Sequence, residues 1–453
     1  MKFILNQNLV ETSYSAGKHT LDFIRKMGYK GVKEGCHEGD CGACMVLVGE
    51  LKGDKVKYRA INSCILPLGK VEGKHVVTIE GLNLEHLNPV QQAFVDEGAT
   101  QCGFCTPGFV IALMSYFMNE DLANTDTMVA IEGNICRCTG YNSILRAAEI
   151  AKKKVLALDD SNGRLDALID AEFVPKYFLE IPKRLEELQI ESKLSEGTFV
   201  AGGTDLYVHK DIDIDKPVFL TELGFDKIWS DDEYVYIGGA ANIESIRLSE
   251  ELNALYDTAT HISRVSTLPI RQQATGGGNV VNASPIGDLT IYFLALNADI
   301  SLLKNNSSRI IKLKDLFKGY KILDLEKGEI LEWFRIKKEK KYLSFEKVAK
   351  RMYMDIASVN SAFSCKYENG IIKKPYLSGG GVGPIPMYLE KACQYLQDKE
   401  ITAEVVKEAA SIADTEISPI NDVRGTARYK RLLLRQLIYA HFVKLVPELE
   451  EEL

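Results

Sequence analysis

The stretch Glu34–Cys44, E-G-C-H-E-G-D-C-G-A-C, places three cysteines at the spacing C-x4-C-x2-C. Its glycines allow the backbone to turn tightly, so one short loop can direct three thiol groups toward the same place. Thiolates at this spacing are typical of a loop that binds a 2Fe–2S cluster. We therefore predict that Cys36, Cys41, Cys44 and the later Cys64 are the four ligands of one cluster.

Zinc and structural thiols are the alternative interpretations of these cysteines. Zinc sites with four cysteines usually combine two C-x2-C-like pairs, and nothing in them requires a gap of four residues. Disulfides are disfavoured because the chain begins M-K-F-I-L-N-Q-N-L-V-E-T, without a secretory signal, which predicts a cytoplasmic protein. The spacing is that of plant-type ferredoxins and favours iron–sulfur over zinc.

The bulk composition is that of an ordinary globular protein. The chain has 453 residues, of which 46% are hydrophobic and 26% charged, and its net charge is −8. That length predicts about two to four domains. Mild acidity without a basic run disfavours nucleic acid as a partner, and no apolar stretch approaches the length of a membrane span.

A second group of cysteines follows in a region whose pattern is helical. Cys102 and Cys105 lie in Q-C-G-F-C-T-P-G, and Cys136 and Cys138 lie in G-N-I-C-R-C-T-G-Y. Pairing C-x2-C with C-x-C supplies four thiolates from two loops, which suits a second 2Fe–2S cluster. A four-cysteine zinc site is the alternative, since C-x2-C also serves zinc and thiol–disulfide chemistry.

Hydrophobic periodicity divides the N-terminal third into two parts. Short strands and one helix, Thr20–Met27, surround the first cysteine loop and predict a ferredoxin-like α+β domain. Helices are predicted over Pro89–Gly98, Phe109–Asn119 and Ile144–Leu158. The polar stretch Asp159–Ala171, with the turn signal Asn162-Gly163, is predicted to be a linker.

Two glycine-rich turns mark the central part of the chain. Thr198–Lys210 is predicted as strand, turn and helix, and Thr275–Leu289 as a second turn before the apolar helix or strand Thr290–Ala298. Neither G-x-x-x-x-G-K-[ST] nor G-x-G-x-x-G is present, which disfavours a nucleoside-triphosphate loop and a Rossmann site. These two turns are suited to binding phosphate, and they follow two predicted cluster sites in the chain. This combination favours FAD, because flavins convert between one-electron and two-electron chemistry.

Alternating strands and helices are predicted for the C-terminal part. Ala357–Cys365 and Ile371–Ser378 have the pattern of strands, and Ala403–Ala413 and Thr426–Val443 that of amphipathic helices. Cys365 and Cys393 have no ligand-like neighbours in the sequence and are predicted to be buried apolar residues.

Taken together, these motifs and their order resemble the iron–sulfur and flavin part of the molybdenum hydroxylases, most closely the small subunit of bacterial xanthine dehydrogenases. The motifs that carry the resemblance are G-V-K-E-G-C-H-E-G-D-C-G-A-C, Q-C-G-F-C-T-P-G-F, G-N-I-C-R-C-T-G-Y, A-G-G-T-D-L, A-T-G-G-G-N-V-V-N-A-S-P-I-G-D-L and D-V-R-G-T-A-R-Y-K-R.

The resemblance implies a role for each matched residue. Cys36, Cys41, Cys44 and Cys64 would hold the cluster nearer the flavin, and Cys102, Cys105, Cys136 and Cys138 the cluster nearer a molybdopterin. The implied FAD-binding residues are Phe199, Val200, Ala201, Gly202, Gly203, Thr204, Asp205, Leu206, Thr275, Gly277, Gly278, Asn279, Ser284 and Asp288, with Leu331 and Lys347 near the isoalloxazine. No catalytic acid or base is implied on this chain.

The resemblance also implies an α+β fold with four domains. These are a ferredoxin-like β-grasp 2Fe–2S domain (1–80), an all-helical 2Fe–2S domain (81–158), a two-subdomain, non-Rossmann α+β FAD-binding domain (172–340) and an α+β C-terminal domain (341–453). Residues 159–171 would form the linker.

The function implied is that of an electron-transfer subunit of a xanthine dehydrogenase-like enzyme. Electrons would pass from molybdopterin on a large partner subunit through both clusters to FAD and on to NAD+. The assembly would be a hetero-oligomer, such as a dimer of heterodimers. Other substrates, namely nicotinate, an aldehyde, carbon monoxide or an aromatic CoA thioester, are alternatives. A non-catalytic zinc-binding or redox-sensing protein is the alternative from another class.

Overall fold

The computed structural model describes residues 1–118, 126–188 and 196–453. They form two compact units, one of Met1–Glu222 with Thr267–Gln273, and the other of Leu223–Ser266 with Ala274–Leu453. Both units combine sheets with helices, in agreement with the predicted mixed class. The last residue of the predicted helix Phe109–Asn119 lies outside the described residues.

The first unit begins with a five-stranded sheet. Its strands are β1 (Lys2–Leu5), β2 (Asn8–Glu11), β3 (Met45–Lys52), β4 (Lys55–Asn62) and β5 (His75–Val77), in the spatial order β2-β1-β5-β3-β4. Strands β1 and β5 run parallel, and the other pairs are antiparallel. The predicted helix is present as Thr20–Lys26 and buries Leu21, Phe23 and Ile24 in one core with the sheet.

Helices follow the sheet, as predicted. They span Pro89–Asp96, Thr106–Phe117, Thr127–Ile131, Asn142–Leu156, Arg164–Asp170 and Ile181–Glu186. Asn88 caps the first of them, because its side chain accepts from the Gln91 N–H at 2.9 Å while the Gln91 side chain accepts from the Asn88 N–H. Helix Thr106–Phe117 is buried on nearly all sides and forms the centre of this core.

Two local differences from the sequence pattern occur in this unit. Helix Arg164–Asp170 lies inside the polar stretch Asp159–Ala171 and buries Leu168, so a linker prediction from polarity overlooked this apolar face. The helix predicted after the first glycine turn is only a single 3₁₀ turn, Leu206–Val208. The turn is preceded by β6 (Thr198–Val200), which pairs in parallel with β7 (Pro217–Phe219).

The second unit contains two larger sheets. One has the order β11-β10-β14-β9-β8 and the other the order β15-β16-β17-β18. Strands β12 and β13 form a separate pair. The strands of this unit are β8 (Ile228–Ser230), β9 (Tyr234–Gly238), β10 (Asp299–Lys304), β11 (Ser307–Lys312), β12 (Phe317–Gly319), β13 (Ile322–Leu323), β14 (Ile330–Lys337), β15 (Tyr342–Val348), β16 (Val359–Glu368), β17 (Ile371–Gly380) and β18 (Met387–Tyr388).

Helices cover these sheets and complete the cores of the second unit. They span Ile243–Arg247, Glu250–Asn253, Thr258–Ile262, Gly276–Val281, Asp288–Ala295, Glu390–Leu396, Ala403–Glu416 and Ala427–Leu445. The two strands and two helices predicted near the C-terminus are thus confirmed, and the ambiguous apolar segment is a helix. Among the described residues, no helix is both long and apolar enough to cross a membrane.

His441 lies fully buried in the C-terminal core. Its two ring nitrogens contact the hydroxyl groups of Ser344 at 2.8 Å and Ser361 at 3.0 Å. Burial, assisted by the nearby Lys444, lowers the pKa of His441 to about 3. This histidine stays neutral in the folded protein but has an ordinary pKa in the unfolded chain. The free energy of unfolding therefore decreases as the pH falls below that ordinary pKa.

We expect acid to destabilise the second unit in part through His441. Between about pH 6.5 and pH 3 the unfolded chain takes up a proton that the folded chain excludes, which costs up to about 1.4 kcal/mol per pH unit. The variant His441→Leu should therefore lose less melting temperature between pH 7 and pH 4.5 than the wild type. His86→Leu, at an exposed histidine, is the control, and calorimetry at several pH values measures both. An unchanged slope in His441→Leu would contradict this account.

Candidate functional site

Strand pairing positions two of the four cysteines predicted for the first cluster. In the antiparallel β3–β4 pair, Met45 lies opposite Asn62. Cys44 immediately precedes β3, and Cys64 lies in the short turn that follows β4. The Ser63 hydroxyl donates to the Cys44 carbonyl at 2.7 Å and holds the two ends together. Both cysteines are buried.

The loop before β3 supplies Cys36 and Cys41. The N–H of Cys41 and that of Glu38 donate to Cys36 Sγ at 3.4 and 3.3 Å, and the Cys36 N–H donates to Cys41 Sγ at 3.4 Å. Such N–H···S bonds stabilise thiolates and tune the reduction potential of a cluster. Gly42 has a φ of 69° and leaves no room for a Cβ atom against Asn134, so glycine is required there.

The thiol groups of the four cysteines approach one another. Hydrogen bonds with the Cys41 and Cys64 thiols lower the pKa of Cys36, and hydrogen bonds with Cys36 and then Cys44 raise the pKa of Cys64. Four neighbouring thiols, with N–H donors to Cys36 and Cys41, fit a 2Fe–2S cluster, which takes thiolates and displaces their protons on binding.

Cys102, Cys105, Cys136 and Cys138 form the second group. Cys102 and Cys105 precede helix Thr106–Phe117, and the other two precede helix Asn142–Leu156. Cys102 Sγ lies 3.6 Å from Cys138 Sγ. Burial, and then a hydrogen bond with the Cys136 thiol, raises the pKa of Cys105 to about 12. The structure therefore brings Cys102 beside Cys138 and Cys105 beside Cys136.

Two hydrogen bonds link the two cysteine loops directly. The Ile135 N–H, next to Cys136, donates to the Cys41 carbonyl at 3.0 Å. The Lys33 ammonium donates to the Gly103 carbonyl at 3.2 Å. The two groups differ in burial, because Cys44 and Cys64 are buried whereas Cys102 and Cys138 are exposed. The second group thus opens onto the surface of the unit.

The two groups differ from a preformed site for a single metal ion. Within residues 1–118, 126–188 and 196–453, no three or more His, Cys, Asp or Glu side chains are arranged to hold one ion. A 2Fe–2S cluster divides its four thiolates between two irons.

The first glycine turn, predicted to bind FAD, belongs to the first unit. Phe199 and Val200 lie in β6, Ala201 to Asp205 form the turn, and Leu206 begins the 3₁₀ turn. In the described part of the chain, the N–H groups of Gly202, Gly203 and Thr204 donate to no protein acceptor. A turn with unused N–H groups fits a phosphate-bearing ligand.

The second glycine turn belongs to the second unit. Thr275 caps helix Gly276–Val281 by accepting from the Gly278 N–H at 3.0 Å, and Ser284 lies in the turn after that helix. The Asn279 side chain accepts from the Thr290 N–H at 3.1 Å. A Cβ atom at Gly277 would overlap the Gly239 carbonyl, so packing within the unit already requires this glycine.

Three further residues of the predicted FAD site also lie in the second unit. Asp288 accepts from the Lys347 ammonium at 2.8 Å, and Lys347 is almost fully buried. Leu331 lies in β14 and is buried in the core of the unit. The structure thus brings Asp288 and Lys347 together, while Leu331 packs with apolar neighbours.

Sequence reasoning overlooked several polar residues beside these sites. The sequence pattern assigns no role to His37, but it is buried, and its ring contacts Glu34 at 3.1 Å and His19 at 3.4 Å. Lys70 and Gln273 are buried as well. Their only sequence signal is a polar residue within an apolar neighbourhood, which is too weak to identify a partner.

Comparisons with known proteins identify three domains in the chain. Residues 78–149 match a [2Fe-2S] binding domain, residues 175–336 an FAD binding domain in molybdopterin dehydrogenase, and residues 344–445 a CO dehydrogenase flavoprotein C-terminal domain. The three matched domains are those of the iron–sulfur and FAD-carrying part of the molybdenum hydroxylases.

Curated relatives from this family are similar along almost the whole chain. Xanthine dehydrogenase from Emericella nidulans is 26% identical over 95% of this chain and 37% of its own length. Xanthine dehydrogenase/oxidase from Rattus norvegicus is 24% identical over 99% and 39%, and aldehyde oxidase from Homo sapiens is 25% identical over 98% and 39%. The chain therefore spans about two fifths of the length of these relatives.

Solved structures of molybdenum hydroxylases share the fold of about half the chain. Carbon monoxide dehydrogenase from Hydrogenophaga pseudoflava matches with a TM-score of 0.51 and 22% identity, covering 54% of this chain and 87% of that chain. Quinoline 2-oxidoreductase from Pseudomonas putida 86 matches with a TM-score of 0.51 and 19% identity, covering 55% and 88%. At these identities the likeness concerns the fold alone.

Substituting one cysteine from each group should separate two cluster signals. We expect Cys44→Ser to remove or alter one of two paramagnetic iron signals, and Cys138→Ser to alter the other, because each variant replaces one thiolate ligand. FAD should stay bound in both variants. Electron paramagnetic resonance of the reduced protein and flavin absorbance measure these outcomes.

Cys365→Ala provides the control, since Cys365 is buried away from both groups. It should keep both signals. Two unchanged signals in Cys44→Ser would show that the ligand assignment is wrong.

Proposed function

We propose that the chain is the electron-transfer subunit of a molybdenum hydroxylase that oxidises xanthine or hypoxanthine. The observation that most supports the electron-transfer role is the direct contact of the two cysteine loops, through the Ile135 N–H and the Cys41 carbonyl at 3.0 Å. Loops in contact keep two redox centres within short distance, which is what conduction of single electrons requires.

The residues of this chain serve mainly to hold and orient cofactors. When bound, two 2Fe–2S clusters and FAD would connect one-electron transfer with hydride transfer to NAD+. Cys36, Cys41, Cys44 and Cys64 would ligate one cluster, and Cys102, Cys105, Cys136 and Cys138 the other. Burial of Cys44 and Cys64 shields two of the four ligands of the first site from water, and the N–H groups of Glu38 and Cys41 stabilise the negative charge on Cys36.

FAD would use the two glycine turns. In the first unit, the pyrophosphate would bind the turn formed by Phe199, Val200, Ala201, Gly202, Gly203, Thr204, Asp205 and Leu206. In the second unit, the second clamp would be formed by Thr275, Gly277, Gly278, Asn279, Ser284 and Asp288, and Leu331 and Lys347 would lie near the isoalloxazine. The proposal includes the finer domain description. Residues 1–80 would form the β-grasp domain and residues 81–158 the all-helical domain. Residues 172–340 would form the two-subdomain FAD-binding domain and residues 341–453 the C-terminal domain.

The exposed second cysteine group supports a partner subunit that carries molybdopterin. Cys102 and Cys138 are exposed, and Phe104 between the first pair keeps 45% of its surface accessible. An apolar ring beside an accessible cluster site suits contact with another protein. A hetero-oligomer with a large molybdopterin-binding subunit, such as a dimer of heterodimers, and a cytoplasmic location are parts of this proposal.

Other substrates have support from the comparisons. The human relative is an aldehyde oxidase, and the C-terminal match is to a carbon monoxide dehydrogenase flavoprotein domain. Nicotinate and an aromatic CoA thioester are further alternatives. All of these keep the same role for this chain, because the substrate would bind to the partner subunit.

The cofactor content of the purified chain tests the proposal against a zinc-binding protein. Protein purified without air should contain about four irons and about four acid-labile sulfides per chain, as two 2Fe–2S clusters require, together with bound FAD and no stoichiometric zinc. Metal analysis, sulfide analysis and visible absorbance measure this. Stoichiometric zinc without sulfide would overturn the electron-transfer role.

The native complex tests the substrate and the acceptor. We expect hypoxanthine or xanthine to reduce NAD+ when the chain is purified with its partner. Aldehyde, nicotinate and carbon monoxide, each supplied with NAD+ or with an artificial acceptor, are the comparison substrates. Turnover of one of these without turnover of purines would retain the subunit role and refute the purine assignment.

A further inference from the structure

Two carbonyl groups of the first glycine turn are held by buried side chains. Lys70 Nζ donates to the Ala201 carbonyl at 3.2 Å, and Gln273 Nε2 donates to the Gly202 carbonyl at 3.1 Å. Lys70 follows the first cysteine group in the chain and Gln273 comes from far along the sequence, but all of these residues belong to the first unit.

Binding these carbonyls fixes the direction of the adjoining N–H groups. In a trans peptide the C=O and the N–H of one peptide unit point in opposite directions, and the described residues contain no cis peptide bond. The carbonyls of Ala201 and Gly202 are therefore directed into the unit, and the N–H groups of Gly202 and Gly203 away from these contacts. These are the N–H groups that donate to no protein acceptor.

Gln273 also contacts the first cysteine group. Its amide nitrogen donates to the Ile65 carbonyl at 2.6 Å, next to Cys64. The two hydrogens of one NH₂ group are thus donated to a carbonyl of the cysteine segment and to a carbonyl of the glycine turn. Gln273 keeps only 4% of its surface accessible, so water does not compete with these bonds.

A buried ion pair anchors the segment that carries Gln273. Arg271 contacts Glu132 at 2.9 Å with both side chains about 2% exposed, and the Leu268 N–H donates to Glu132 at 2.6 Å. Glu132 lies just before the loop of Cys136. The backbone of Gln273 is therefore fixed relative to both cysteine groups of the unit.

We propose that Gln273 and Lys70 are positioning residues that hold the glycine turn on the Cys64 segment, with its free N–H groups ready to bind the phosphates of FAD. This inference rests on the proposed function, because it takes FAD as the ligand of that turn. It assigns a role to two side chains outside every predicted ligand set.

The charge of Lys70 adds a pH dependence to this arrangement. Burial lowers the pKa of Lys70 to about 7; Glu222 and Glu50 oppose this effect, and Lys74 and Arg59 reinforce it. The protonated ammonium makes the stronger bond to a carbonyl and the stronger attraction for phosphate. FAD affinity should therefore fall as the pH rises from 6 to 8.

The test uses the full-length chain loaded with its clusters and stripped of FAD. Gln273→Met removes both donated hydrogen bonds at similar size and should weaken FAD binding by roughly tenfold, the effect of a hydrogen bond worth about 1.4 kcal/mol. It should also shift one of the two paramagnetic iron signals, because the Ile65 carbonyl loses its donor. The control is Gln92→Met, at a surface glutamine whose side chain donates to Asp96. It should change neither the affinity for FAD nor the iron signals.

Lys70→Met tests the second positioning residue. It should weaken FAD binding at pH 6 and make the affinity independent of pH between 6 and 8. Lys52→Met, at an exposed lysine of β3, is the matched control and should keep the wild-type profile. Flavin fluorescence titration measures the affinities, and iron content verifies that each variant is folded.

The outcomes separate this inference from the proposed function. A wild-type chain that binds no FAD overturns both. A wild-type chain that binds FAD, with Gln273→Met unchanged in affinity and in both iron signals, overturns the role of Gln273 alone, and an unaltered pH profile in Lys70→Met overturns that of Lys70. If Gln273→Met loses iron, Gln273→Leu replaces it, because leucine also has no N–H to donate and carries no charge into the buried site.

Discussion

The pairing of β3 with β4 is the constraint on which the first cluster site depends. The register that sets Met45 opposite Asn62 brings Cys44 and Cys64 to the same end of the sheet. A shift of this register by one residue would turn every side chain of one strand to the other face. Such a shift would remove Met45, Leu47 and Ala60 from one core and Val46, Val48 and Ile61 from another, since these strands are buried on both faces.

The two cysteine groups are built by different means, and this difference matches their surroundings. The first uses strands and a loop with N–H donors toward sulfur, and buries two of its four cysteines. The second uses turns before two helices and leaves two thiols exposed. Because burial and hydrogen bonding to sulfur both change the reduction potential of a cluster, two clusters bound here would differ in potential. A difference of this kind gives electron flow a preferred direction.

Local sequence patterns were sufficient to predict most of the helices and strands and the division of the cysteines into two groups. Cysteine spacing depends on residues close in sequence, and the helices Pro89–Asp96 and Thr106–Phe117 have clear starts and apolar faces. Contacts between distant residues could not be found in this way. Gln273 and Ile65 are 208 positions apart, and Lys70 and Ala201 are 131 apart. Their pairing follows from the tertiary fold, and neither residue type carries a motif.

The return of the Thr267–Gln273 segment to the first unit constrains how the chain folds during synthesis. Domains usually fold in order as they leave the ribosome, but the N-terminal unit lacks Arg271 until residues 223–266 have already emerged. The buried pair of Arg271 with Glu132 cannot form before that point, and a buried ion pair that loses one member is strongly destabilising. Completion of the N-terminal unit is therefore tied to synthesis of the part of the second unit that precedes Thr267.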